Sequence, residues 1–355
     1  MQHQAIQYLA LDVHQATTVA SVRDDRGQVV MRATVPTEAR ALINLVGGLD
    51  GRVEVAFEEG TQAQWLHDLL APHARRVIVC NVRGRGKKAN KNDQLDADHL
   101  SERLRLGTLK PVWHGSPAVG MLKELVRCYD NLVDDSTRVM LRLKAIYRGR
   151  AIGTSGKAVY RPSQRQAWLA KLESRGARAR AESLLAQLDT LTALRHAART
   201  AMIGEARRQP GWKTLRSIPF FGPVRVAVLL AVIGTPHRFR TRRQLWPYAG
   251  LAVVTRTSGE REFVDGKLRR KQRAPLTRGL NANHNRMLKN VFKGAANAAA
   301  AKAGPLKDLF ERCVAGGVRP VMAKLTLARK LAAIVLRLWK RGELWDPEKL
   351  TIQPT

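Results

Sequence analysis

The chain has 355 residues, enough for two domains, and its apolar fraction of 45% is that of an ordinary globular protein, not a disordered one. Its 62 Lys and Arg against 29 Asp and Glu leave a formal charge of +33. That charge costs self-repulsion on folding and points to a polyanionic partner, nucleic acid ahead of an anionic membrane surface. No apolar run reaches the roughly 18 residues that span a bilayer, and the N-terminus carries no export signal. Cys80, Cys128 and Cys313 are isolated, and neither they nor the nine His make a zinc spacing, so a reduced, cytoplasmic, nucleoid-associated setting is expected, without membrane contact.

In chain order, residues 6–13, 17–23 and 28–35 read as strands, with a turn at Asp24–Gly27 between the last two. Pro36 ends the third, and Thr37 is the expected cap of a helix whose apolar positions are Ala41, Leu42, Leu45 and Val46. A short strand at 53–57 stops at Glu58, and a helix follows over 62–71. A buried strand at 76–80 leads to a basic loop with Arg83, Arg85, Lys87 and Lys88, and then to a helix over 93–106. Three strands able to form a meander, followed by alternating strand and helix, predict a mixed sheet with helices on its faces. This order matches the α/β RNase H-like fold, here over residues 1–114.

From 115 to 208 the pattern is helical and rich in Arg. Two long helices, 117–148 and 164–207, are expected as a hairpin, as an oligomerising coiled coil, or as a spacer inside one monomer. Residues 209–355 form a third, mainly α region. Here Trp212–Ile218 and an apolar helix from Val224 to Ile233 flank Pro219-Phe-Phe-Gly-Pro223. This resembles a helix-hairpin-helix, whose turn offers backbone N–H groups to a phosphate. A basic loop over 267–273 and helices over 276–302, 305–316 and 318–341 complete the reading, the last ending near Gly342.

The chemistry rests on carboxylates. Asp12 lies at the end of the first strand and Glu58 at the end of the fourth, while Asp93 and Asp96, three apart, share one face of a first helical turn. Each alone reads as an ordinary solvated or capping acid; Asp98 falls off that face and is expected to be solvated. In an RNase H-like sheet the first and fourth strands are neighbours, and the last helix crosses near their ends, so the four acids converge. Together they would repel unless Mg2+ joined them, and such ions promote phosphoryl transfer.

Leu11-Asp12-Val13-His14, Phe57-Glu58-Glu59-Gly60 and Lys91-Asn-Asp-Gln-Leu-Asp-Ala97 resemble the DEDD motif of an insertion-sequence transposase family with a RuvC-like N-terminal domain. That family includes the Piv-type invertases and bridge-RNA-guided serine recombinases. Leu215-Arg-Ser-Ile-Pro219, Phe239, Tyr248-Ala-Gly-Leu251, Thr257-Ser-Gly259 and Gly279-Leu280 follow the order of its C-terminal transposase domain. The resemblance implies metal ligation by Asp12, Glu58, Asp93 and Asp96, with Glu59 competing for the Glu58 role. It also implies that Ser258 attacks a DNA phosphodiester, although a Ser-Gly pair between strands otherwise reads as a turn. A homo-oligomer, dimer or tetramer, would set the carboxylates of one protomer against the serine of another, and a structured guide RNA would choose the target DNA.

Arg256, Arg261, Lys267, Arg269, Arg270, Lys271 and Arg273 are expected to hold nucleic acid together with the 83–88 cluster. Phe220 departs from the family's Ile-Pro-Gly-x-Gly hairpin, in which a glycine takes its place. A RuvC-like Holliday-junction endonuclease would keep the acids and have no use for Ser258. A catalytically inactive nucleic-acid-binding protein would need neither.

Overall fold

The computed structural model describes residues 5–81, 93–256, 261–270 and 276–348. The chain divides into two compact units, residues 1–117 and 118–355.

The first unit is built on β1 (Ile6–Val13), β2 (Thr17–Arg23), β3 (Val29–Pro36), α1 (Ala39–Gly47), β4 (Arg52–Glu58), α2 (Ala63–Leu70), β5 (Arg76–Cys80) and α3 (Asp93–Arg105). The five strands lie in the order β3-β2-β1-β4-β5. The first three pair antiparallel, and β4 and β5 run parallel to β1. Period-two alternation sends Leu9 and Leu11 of β1, with Val55 and Phe57 of β4, to the face covered by α1 and α2. Ala10 and Ala56 point to the opposite face, where Leu100 and Leu104 of α3 close a smaller core. The mixed α/β sheet expected from element order is therefore present.

Two local expectations are corrected in this unit. Thr37 does not cap α1, which starts at Ala39 after Glu38 without a side-chain cap. The Thr37 hydroxyl instead donates to the His14 carbonyl (2.9 Å) and meets the Thr18 hydroxyl at 2.9 Å, so it ties down the β1–β2 turn. Asp98 is buried, not solvated.

The second unit contains α4 (Pro117–Arg148, all but its first residue), α5 (Arg165–Ala170), α6 (Arg175–Arg208), α7 (Trp212–Ser217), α8 (Pro223–Ile233) and α9 (Arg242–Tyr248). It continues through β6 (Val253–Arg256), β7 (Arg261–Val264), β8 (Lys267–Arg270), β9 (Leu276–Leu280), α10 (Arg286–Ala301), α11 (Pro305–Ala315) and α12 (Pro320–Arg341). The end of α4 packs on the start of α6 through Leu143, Tyr147, Ala181 and Leu185. The start of α4 meets the end of α6 through Leu122, Val126, Met202 and Ala206, so the two helices form an antiparallel hairpin. The expected helix over 164–207 is interrupted, because Ser174 accepts a hydrogen bond from the Ala177 N–H and starts α6 afresh.

The reading of 276–302 as one helix is also corrected. Residues 276–280 pair with β6 as β9, and α10 starts only after Asn285, whose side chain accepts from the Leu288 N–H at 3.0 Å. Likewise, Lys267–Arg270 is a strand of a β7–β8 hairpin and not loop. Asp265 and Gly266 both take positive φ (52° and 71°), the turn chemistry that an Asp-Gly pair supplies. The tail helix α12 ends as expected at Gly342, in the left-handed region, with Leu331 and Val335 buried along its inner face.

Candidate active site

Asp12 is the last-but-one residue of β1, on the same strand face as Ala10. Glu58 ends β4, on the face of Ala56. The last parallel partners are Leu11 and Phe57, so Asp12 and Glu58 follow side by side at the carboxyl ends of adjacent strands. This is the face α3 covers, and the first turn of α3 carries Asp93 and Asp96. The sheet end and the helix start thereby bring acids from three stretches of sequence toward one place.

The tightest group comprises Asp12, His14 and Asp93, whose ligand atoms all lie within 4.8 Å of one another. The His14 Nε2 lies 3.4 Å from the Asp12 Oδ2 and 3.3 Å from the Asp93 Oδ2. Glu58 and Asp96 are outside this group. Asp96 is half-buried and acts on Asp12 through its charge; Glu58 is exposed at the strand end. Burial pushes the Asp12 carboxyl above its ordinary range, and the charges of Asp93 and Asp96 push the same way, while His14 opposes them. A carboxylate held uncomfortably ionised beside other acids is what a cation site requires, and the two carboxylate oxygens suit a hard divalent ion. Sequence reasoning left out His14. Its signal was the Asp-Val-His spacing, which puts two side chains on one face of an extended chain.

Asp98 has a structural task. The Arg32 Nε donates to both of its carboxylate oxygens (3.2 Å each), Arg32 Nη2 donates to Oδ2 (2.8 Å), and the Ser21 hydroxyl donates to Oδ1 (2.6 Å). Burial pushes this carboxyl up, but the bonds from Arg32 and Ser21 and the charges of Arg32 and Arg23 outweigh it, and the net shift is downward. The pair fastens α3, and with it Asp93 and Asp96, across β2 to β3.

Ser258, Lys271, Arg273 and the cluster Arg83, Arg85, Lys87 and Lys88 lie outside the described residues, and Arg256 is described only as the last residue of β6. Arg261, Lys267 and Arg269 are exposed on the β7–β8 hairpin, where Arg261 stands opposite Arg270 in the register.

A second basic feature escaped the sequence reading. Arg240, Arg242, Lys330, Arg337 and Lys340 border a groove of about 290 Å³ between the α9 region and α12. Burial, then the charges of Arg242 and Arg337, push the Lys330 ammonium down. The signal was Lys330 and Arg337, seven apart and hence on one helix face.

At the hairpin between α7 and α8, Phe220 takes φ +70°, a conformation that favours glycine. The turn is held by Arg216 Nη1, which donates to the Phe221 carbonyl (2.6 Å), and by Arg225 Nη1, which donates to the Phe220 carbonyl (2.7 Å).

Comparison with known proteins bears on both units. Residues 9–149 match the DEDD transposase profile of the IS110 type, and residues 212–310 match that of the transposase IS116/IS110/IS902 family. The chain belongs to this family of insertion-sequence transposases. The first match contains Asp12, His14, Glu58, Asp93 and Asp96; the second contains Ser258 and the β7–β8 hairpin. A curated relative in the IS116 group, "Insertion element IS116 uncharacterized 44.8 kDa protein" of Streptomyces clavuligerus, is 29% identical over 133 residues, 38% of this chain. The match spans 30% of that relative's length. Among the described residues of this family member, no helix is long and apolar enough to cross a membrane.

Proposed function

We propose that the chain is a DNA transposase that cleaves and rejoins strands with a divalent cation held by Asp12, Asp93 and the adjoining Asp96 and Glu58. The observation that carries this is the meeting of Asp12, His14 and Asp93 within 4.8 Å at the end of the central strand. The sheet order β3-β2-β1-β4-β5, with β2 alone running against the other four strands, supports assignment of the first unit to the RNase H-like, RuvC-like class. The oxygen donors of Asp12 and Asp93 fit Mg2+, and the His14 nitrogen extends the fit to Mn2+. Such an ion, when bound, neutralises developing charge on phosphate oxygens. Asp12, Asp93 and the His14 nitrogen would hold it, with Asp96 and Glu58 adjoining, and Asp98 with Arg32 keeps α3 in position.

In this reading Ser258 supplies the nucleophile. Its oxygen attacks a DNA phosphorus, a P–O bond of the strand breaks, and the cut strand end leaves as a hydroxyl. A second strand hydroxyl then attacks the phosphoserine, reforms a phosphodiester and frees Ser258. Arg261, Lys267 and Arg269, exposed on the hairpin that follows Ser258, and the Lys330 groove bind the phosphate backbone. The partners are DNA, a second copy of the chain in a dimer or tetramer, and a structured guide RNA, all in the cytoplasm on the nucleoid; the charge of +33 supports both nucleic acids.

Strand exchange on element-end DNA tests this with Asp12→Asn and Ser258→Ala, scoring binding in parallel. Both variants should lose exchange and keep binding. Loss with Asp12→Asn alone would favour a RuvC-like junction endonuclease. Unchanged exchange in both would leave a nucleic-acid-binding protein.

A further inference from the structure

Between α10, the start of α12 and the β6–β9 pair lies a cavity of about 550 Å³, within the size range of ligand pockets. Leu251, Val253, Leu280 and Leu325 give it an apolar floor. Its rim carries four cations, Lys289, Lys293, Arg319 and Lys324, and among the described residues that line it there is no carboxylate. At its mouth Val321 is 77% exposed and Met322 39%, apolar surface at the start of a helix that otherwise shows basic residues to water. Gly250 borders the cavity with φ +66°, and a Cβ there would come within 2.6 Å of the His284 ring, so this wall has one permitted backbone shape.

We propose that this cavity receives the base of one unpaired nucleotide, with the phosphates on either side of it held by Lys289, Lys293, Lys324 and Arg319. The inference rests on the reading of nucleic acid as partner and adds a site that reading does not contain. An apolar floor accepts the flat face of any base once it leaves the stack, and Met and Leu can pack against it. Four cations spread round the rim outnumber the single head group of a fatty anion. A strand entering and leaving the cavity brings a phosphate on each side of the base. In sequence, Ser258 follows the end of the β6 strand that walls the cavity by two residues.

The test uses the full-length protein and a duplex oligonucleotide containing one unpaired 2-aminopurine, a base that brightens when it leaves the stack. Anisotropy of an end label reports overall binding. Wild-type protein should raise 2-aminopurine emission by about twofold or more and bind this duplex about 5-fold tighter than the same duplex with an abasic site at the bulge. Met322→Trp, which fills the mouth, should abolish both effects while binding to fully paired duplex stays within about twofold. Val321→Trp, at a more exposed position, provides the same test should Met322→Trp fail to fold. Equal affinity for the abasic bulge, or a full emission rise in both Trp variants, overturns the proposal. So does binding to phosphatidylglycerol vesicles that the Trp variants abolish while the emission rise persists, since the occupant is then an acyl chain. No binding to any oligonucleotide overturns the nucleic-acid reading itself, and this site with it.

Discussion

Arg32 on β3 holds Asp98 on α3 through both carboxylate oxygens, the shortest bond 2.8 Å, and the Ser21 hydroxyl completes the grip at 2.6 Å. The helix that presents Asp93 and Asp96 is thus bolted to the far side of the sheet by a charge that is itself no part of the cation site. Asp98→Ala leaves Arg32 and Ser21 without their shared acceptor and should cost about 2 kcal/mol at pH 7, measured by urea denaturation. The folded-state pKa of Asp98 is depressed, so this contribution is present above the ordinary aspartate range and is lost as pH falls through the folded value. The gap between wild type and Asp98→Ala should therefore narrow below about pH 4. A gap that did not change with pH would show that lost packing, and not the ion pair, explains the cost.

Asp98 also marks where sequence reasoning stopped. The run of strands and helices in the first unit follows from periodicity, a local signal. The adjacency of the first and fourth strands was expected only through the likeness of that element order to the RNase H-like fold. Periodicity left the two long helices open between a hairpin, a coiled coil and a spacer. The acid face of α3 was legible because positions 93 and 96 share a turn. Asp98 looked solvated because its partners, Ser21 and Arg32, lie 77 and 66 residues away, and only tertiary pairing reveals them. The β7–β8 hairpin was misread for another reason: the dense charge of 267–273 suggested loop, although Asp265-Gly266 carries the local turn signal. At 276–280 the helical pattern of α10 was extended too far back, past the Asn285 cap.

Phe220 holds a left-handed backbone, φ +70°, that its side chain disfavours. Phe220→Gly and Phe220→Ala lose the same half-buried ring, but only glycine relieves the backbone. The glycine variant should be the more stable of the two by about 1 kcal/mol in chemical denaturation. Equal stabilities would mean the turn relaxes when the ring is removed.

Lys330 is a cation that burial and its neighbours Arg242 and Arg337 disfavour, which makes its groove a place where a phosphate offsets a standing cost. Lys330→Met should weaken duplex binding several-fold and lower the slope of log affinity against log salt by about one. Unchanged binding and salt slope in this variant would take the groove out of the binding surface.

The central claim, that Asp12, His14 and Asp93 form a cation site, is tested most directly by melting temperatures in EDTA and in Mg2+, for wild type and for Asp12→Asn. Burial and the charges of Asp93 and Asp96 raise the Asp12 pKa, so its ionised form subtracts stability once pH exceeds the folded value, and a bound cation restores it. Wild type should melt higher in Mg2+ than in EDTA. Asp12→Asn should melt higher than wild type in EDTA and lose the Mg2+ response. A Mg2+ response of undiminished size in Asp12→Asn, or none in wild type, would contradict the account.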